Sequence, residues 1–428
     1  MKTILFIWMR GMSGGIRASF LCVLSSTRAT RFPGRFLWDD RVMLRFLILA
    51  ATVISALSLA ASKPKQDAPA VTVLRVPEGG LQPQVEVKDG IVHLLYFTGD
   101  AAGGDLSYVR SRDYGRTFSK PFRVNSQPGS VMATGNIRGG QIALGPNGQV
   151  HVAWIGSRSA LPRGPSDSAP VLYTSLNDAG TAFGPERSVS RLSWGADGAT
   201  LAADSSNNVY VFWHAQPPGG KDESSRRLWM AKSADGGRNF AGETPVFGDG
   251  HGVCGCCGSR ALAGPDGALY VLVRSATQMV HRDIWLLNSS DRGSSFQASN
   301  ISKWEIGACV MSSEALLSSA QGVLAGWESE KQVYLGRVAA GGNTVGASVS
   351  APATGPNRKY PALAVNRRGE ILLAWTENMA WKKGGSAAWQ VYDGDLRPQG
   401  VTGKAEGVPA WGLVAAFAGP DGSFTVMF

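Results

Sequence analysis

The sequence predicts an all-β protein, a β-propeller of four-stranded antiparallel blades, seven by repeat count with six as the alternative. Three observations predict it. A hairpin phrase recurs seven times between about residue 84 and residue 428, at intervals of about 47 to 60 residues, the period expected of blade-like units. Most copies turn on Asn or Asp followed by Gly, which tolerates positive φ and lets a short hairpin match the twist of its strands. Four units continue into a second phrase, Ser-x-Asp-x-Gly-x-x-Phe or a close variant.

Each hairpin pairs an apolar strand with one that alternates and usually ends in an aromatic. The first runs from Val85 to Asp89-Gly90 and returns over Ile91 to Phe97. The second turns at Asn147-Gly148 and ends at Trp154, the third turns at Asn207-Asn208 and ends at Trp213, and the fourth turns at Asp266-Gly267 before Ala268 to Val273. The fifth turns at Gln321-Gly322 and ends at Trp327, the sixth turns at Gly369 and ends at Trp375, and the last turns at Asp421-Gly422 and ends at Phe428. The strand Val71 to Val76 is expected to complete the final blade and tie the chain ends together.

The second phrase reads Ser111 to Phe118 around Asp113, Ser233 to Phe240 around Asp235, and Ser289 to Phe296 around Asp291. A fourth copy keeps Asp178, Gly180 and Phe183, with Ser175 displaced by one. An Asp that accepts backbone N–H bonds across a turn, a Gly at positive φ and a ring tucked into the sheet make a self-contained corner between two strands. A strand into the corner and one out of it bring each hairpin to a four-stranded blade. The phrase resembles the Asp-box of the sialidase-like, BNR-repeat proteins, and the resemblance covers essentially residues 70 to 428.

In such blades the Asp/Asn-Gly turns and the Asp-box corners share one face. Functional groups therefore belong on the other, in the segments before first strands and after second strands. There the chain carries Arg138, Asp197, Cys254 to Arg260, Cys309 to Glu314, Arg358 and Tyr360, and then Asp100, Asp105, His214, Arg274, His281, Glu328, Glu330, Glu377 and Trp381. Arginines, carboxylates and aromatic rings around one mouth suit an anionic or sugar ligand.

The resemblance implies specific roles. Sialidases use a Tyr nucleophile activated by Glu, an Asp acid/base and an arginine cluster on the substrate carboxylate, outside the usual two-carboxylate pattern. Tyr360 is similar in position to the nucleophile, Glu314 to its activating acid, and Asp105, or less favourably Asp100, to the acid/base. Arg75-Val76-Pro77 resembles the family's Arg-Ile-Pro, with Leu74 where an aromatic is usual. Arg260 and Arg358, with Arg138 in reserve, complete the carboxylate-binding set. Trp327-Glu328 stands where the family carries a further arginine. The competing readings are an exposed loop acid for Glu314, a ring packed against a neighbouring blade for Tyr360 and a strand-edge charge for Arg75.

Composition narrows the class. The chain of 428 residues is 44% hydrophobic, enough for a large core, and most of its net charge of +10 comes from its head. Residues 1 to 65 hold 10 Lys/Arg and 2 acids, leaving 32 bases and 30 acids elsewhere. No basic footprint remains for nucleic acid. Residues 1–62 read as a leader in which Met43 to Ser62 has the form of a signal peptide, with Met43 the favoured start. Residues 63–70 read as a linker and 71–428 as one propeller. The expectation is an exported monomer, periplasmic or extracellular, with no transmembrane segment after cleavage. Export makes disulfides the leading reading of Cys254, Cys256, Cys257 and Cys309. Four cysteines allow two disulfides in three pairings, and a link from Cys309 to the cluster would staple blades four and five. The rival is a soft-metal site, copper(I) or zinc, with His251, His281 or Met311; otherwise no cofactor is expected. The functional expectation is a sialidase-like protein that binds acidic sugars, with exo-sialidase-type hydrolysis as its enzymatic form. The alternative is a non-catalytic propeller binding glycan, protein or metal through the same mouth.

Overall fold

The computed structural model describes residues 68–428 apart from positions 266 and 353. The leader, most of the linker and Asp266 of the fourth hairpin lie outside the described residues. Within them stand seven sheets, six of four strands and one of three. The six begin with the strands Leu81–Lys88, Gln141–Leu144, Trp194–Ala203, Arg260–Ala263, Ala315–Ser319 and Lys359–Val365. The three-stranded seventh begins with Ala415–Ala418. Each first strand touches the first strand of the next blade, and the seventh touches that of blade 1, so the sheets close into a ring. The fold is a seven-bladed β-propeller.

Blade 7 departs from the expected four antiparallel strands. Val71–Leu74 does close the blade, but it pairs in parallel with Phe424–Met427, in register from Val71 opposite Phe424 to Leu74 opposite Met427. Connectivity explains the direction. The chain must leave this strand on the face where blade 1 begins, so it runs as an outer fourth strand would, parallel to the second, with the third position skipped.

The ring is held by seven apolar clusters, one at each junction between neighbouring blades. The aromatic that ends a second strand is the wedge. Trp154, Trp213, Trp327 and Trp375 are all buried, and each packs into the junction with the preceding blade. First strands converge on the axis, and small residues such as Ala143, Ala261, Ala315 and Ala415 let them approach.

Three corners have the expected geometry. The Asp113 carboxylate accepts bonds from Ser111 Oγ (2.7 Å), Thr117 N (2.9 Å) and Thr117 Oγ1 (2.6 Å), while Gly115 N donates to Ser111 Oγ. Asp235 and Asp291 repeat the pattern. Hydrogen bonds with Thr117, Asn239 and Ser295 foremost hold these three carboxyls down to a pKa of about 2. In the fourth corner Asn177, not Asp178, takes the position, accepting from Thr181 N at 2.9 Å. Ser175 then stands two residues before it, as in the other copies, and the extra residue falls between the turn and Phe183. Asp178 is exposed.

Replacing Trp213 by Ala opens a void at the junction of blades 2 and 3 and strands the Ser193 hydroxyl, which accepts the indole N–H at 2.9 Å. The expected loss is about 3–5 kcal/mol, read from the midpoint of denaturant unfolding.

Candidate functional site at the lead-in face

Lead-in loops turn sharply at the mouth of the ring. Asn136, Met311, Tyr360 and Trp411 all adopt positive φ there, between 52° and 66°. For bulky side chains that is a strained conformation held by surrounding structure. Beneath the mouth, the axis holds a cavity of about 380 Å³ whose walls include Glu86, Gln141, Arg260, Glu314 and Tyr360. At the mouth a hollow of about 230 Å³ is bounded by Asn136, Met311, Asn357, Lys359, Tyr360 and Trp381. Trp381 is 54% exposed and stands edge-on to Trp411, with ring centroids 4.6 Å apart.

The structure brings Glu314, Tyr360 and Arg260 to the axial cavity and scatters the remaining nominees. Tyr360 is buried, and its ring packs with Met379, Leu413 and Val414 across the junction with blade 7. Burial pushes its phenol well above the ordinary range, and the nearby Cys257 and Glu328 add to this. Arg260 donates to Gln84 Oε1 at 2.8 Å and to Gln141 Oε1, and Glu86 is its electrostatic partner. Asp105 lies apart, on the third strand of blade 1. Its Oδ1 accepts from Asn125 Nδ2 (2.7 Å) and Gly129 N (2.9 Å), which spends it on holding a loop. Asp100 likewise accepts from Ala102 N within its own turn. Arg75 is exposed, lies 4.2 Å from the ring centre of Phe428 and donates to the carbonyls of Glu406 and Gly407. Arg138 grips Asp197 with two nitrogens, at 2.9 and 2.5 Å, and so ties the lead-in loop of blade 2 to the first strand of blade 3. Arg358 donates to the carbonyls of Ala351 and Pro352. Among the described residues no arginine triad converges on Tyr360.

A buried charge cluster surrounds Glu314 instead. Arg274, fully buried at the end of its strand, donates to Arg282 O (2.8 Å), Glu328 O (2.6 Å) and Glu328 Oε2 (3.1 Å). Its Nη2 lies 4.0 Å from Glu314 Oε1. Neither Glu314 oxygen has a hydrogen-bond partner. Burial therefore holds the Glu314 carboxyl well above the usual range, against the pull of Arg274, and raises Glu328 in the same way. Lys359 donates to Val310 O, and Glu328 interacts with it favourably. Lys359 carries no motif and was missed in the sequence; its only signal is adjacency to Tyr360.

The cysteines divide unequally. Cys256 and Cys309 form a disulfide that joins the lead-in loops of blades 4 and 5. Cys254 and Cys257 remain thiols, which corrects the reading of two disulfides. Their sulfurs lie 3.3 Å apart at hydrogen-bond separation, buried with Trp304 and Val310. Of the histidines named for a metal site, His251 stacks on Phe247 and meets Trp285, and His281 borders a hollow shared with His251, Trp304 and Glu305. His93 and His151 bond Tyr108 and Tyr173 inside their blades.

No family model and no curated protein matches the chain. Among solved structures it is similar to a protein of unknown function from Dyadobacter fermentans DSM 18053, with a TM-score of 0.52 and 14% identity over 75% of this chain and 96% of that one. It is also similar to a Hadza microbial sialidase (TM-score 0.48, 12% identity, 77% and 74% covered) and to an α-L-arabinanase of Penicillium chrysogenum (0.49, 13%, 77% and 98%). The shared feature is the β-propeller fold.

Replacing Arg274 by Ala takes away the guanidinium that faces both Glu314 and Glu328 and removes a donor from two carbonyls; the expected cost is about 3–5 kcal/mol by equilibrium unfolding. Glu314 also gives stability a pH dependence of definite sign. Below its ordinary pKa of 4.5 the group is protonated both folded and unfolded, and its contribution is fully present. As pH rises, the unfolded chain ionises first, so stability falls until the folded pKa is passed. Glu314→Gln should remove this slope between about pH 4.5 and neutrality in unfolding measured across that range.

Proposed function

We propose that the protein binds carbohydrate, acidic sugars in particular, at the lead-in mouth of the propeller. The observation that carries this reading is Trp381. It is a large exposed aromatic face, braced by Trp411, beside a hollow whose polar groups include Asn136, Asn357 and Lys359. An exposed aromatic next to convergent polar groups suits a pyranose ring, whose C–H face is apolar and whose edge is hydroxylated. Positive charge gathers at the same place. Lys382 and Lys383 are exposed beside Trp381. A uronate or sialate carboxylate fits that field better than a neutral sugar.

Binding is favoured over hydrolysis. The exo-sialidase set would need Asp105 and an arginine cluster beside Tyr360, whereas Asp105 braces a loop and the arginines hold other partners. Export belongs to the same proposal. A disulfide at the mouth suits an oxidising compartment, and among the described residues no helix is long and apolar enough to cross a membrane.

The test is calorimetric titration with uronate-terminated, sialate-terminated and neutral oligosaccharides. Acidic ligands should bind more tightly, with affinity falling as salt is raised. Trp381→Ala should weaken binding about tenfold or more, equivalent to about 1.4 kcal/mol. Turnover of fluorogenic sialosides, abolished in both Tyr360→Phe and Glu314→Gln, would replace the binding reading with the enzymatic one.

A further inference from the structure

The Cys254–Cys257 pair has a chemistry that neither the fold nor the mouth uses. The two thiols stand at Cys-x-x-Cys spacing, 3.3 Å apart, fully and almost fully buried. Their surroundings are fixed. Cys254 N donates to Arg274 O at 3.0 Å, Gly258 N donates to Ser312 O at 2.8 Å, and His214 Nε2 donates to Cys257 O at 2.9 Å. The Cys256–Cys309 disulfide anchors the same loop from its outer side. The pair is thus screened from water by Trp304 and Val310, with the guanidinium groups of Arg274 and Arg282 nearby.

We propose that Cys254 and Cys257 form a binding site for copper(I). Soft thiolates select soft metals, and copper(I) is satisfied by two of them; the two sulfurs, 3.3 Å apart as thiols, would part by about 1 Å to hold it in a near-linear arrangement. Zinc needs four donors. Among the described residues the cluster of close metal-ligating atoms contains only Cys254, Cys256 and Cys257, with no imidazole or carboxylate, and Cys256 is committed to its disulfide. Binding converts two thiols and one Cu⁺ into a dithiolate–copper monoanion and releases two protons; no electron moves. Arg274 and Arg282 offset the remaining negative charge. Copper(I) would enter past the half-buried Cys256 and the exposed Cys309.

The experiment is titration of the purified full chain, under nitrogen, with copper(I) held by bicinchoninate, whose colour reports withdrawal of the metal. The native chain and the Cys256→Ser/Cys309→Ser double variant should each withdraw one copper per chain, whereas Cys254→Ala and Cys257→Ser should bind at least about tenfold more weakly. Circular dichroism establishes that each variant is folded, and the two single variants probe the site independently. Zinc held by a chromophoric chelator should not be withdrawn. The proposal is overturned if copper is not withdrawn by the native chain, if withdrawal is unchanged in both folded single variants, or if it is lost in the folded double variant. Recovery of Cys254–Cys257 as a second disulfide from protein kept under nitrogen would also overturn it.

Discussion

Each blade buries its sheet faces against two neighbours, and the whole structure depends on that closure. A single four-stranded sheet has two apolar faces and cannot cover either alone. Seven sheets around an axis cover all of them, with one cluster at every junction. Closure also forces the parallel pairing of Val71–Leu74 with Phe424–Met427, because the chain must re-enter blade 1 from the correct face. The wedge tryptophans and the alanines near the axis answer the same geometry, wide at the rim and narrow at the centre.

Closure sorts chemistry by face. The corners around Asp113, Asp235 and Asp291 satisfy their own hydrogen bonds and need nothing beyond the local chain. At the opposite face the lead-in loops meet over the axis, and side chains from different blades finish one another's coordination. Arg138 of blade 2 holds Asp197 of blade 3, Arg274 of blade 4 holds Glu328 of blade 5, and the disulfide links the loops before blades 4 and 5. Much of the charge at this face is therefore structural. What remains free for a ligand lies higher, around Trp381, and the thiol pair lies deeper, beneath the disulfide.

The fold was legible because its signals are local. A two-residue turn, a period-two strand and a Ser-x-Asp corner each occupy fewer than about ten residues, and their recurrence gave the blade count. The errors are equally physical. The motif favours Asp178 over Asn177, yet an amide oxygen accepts Thr181 N just as well and an added residue absorbs the shift before Phe183. The roles of Arg75, Arg138, Arg260 and Asp105 were not legible, because their partners are remote in sequence: Gln84 lies 176 residues before Arg260, and Glu406 lies 331 after Arg75. The cysteine cluster was visible, but which two of its four sulfurs would pair depended on how two loops meet.

The claim that this face is the binding face is tested most directly by hydrogen–deuterium exchange of the protein with and without a saturating acidic oligosaccharide. Protection confined to residues 134–138, 356–360, 378–383 and 409–412, the loops around Trp381 and Trp411, is the result the structure predicts. Protection at the corners around Asp113, Asp235 and Asp291 on the opposite face, or no change in exchange anywhere, would contradict it.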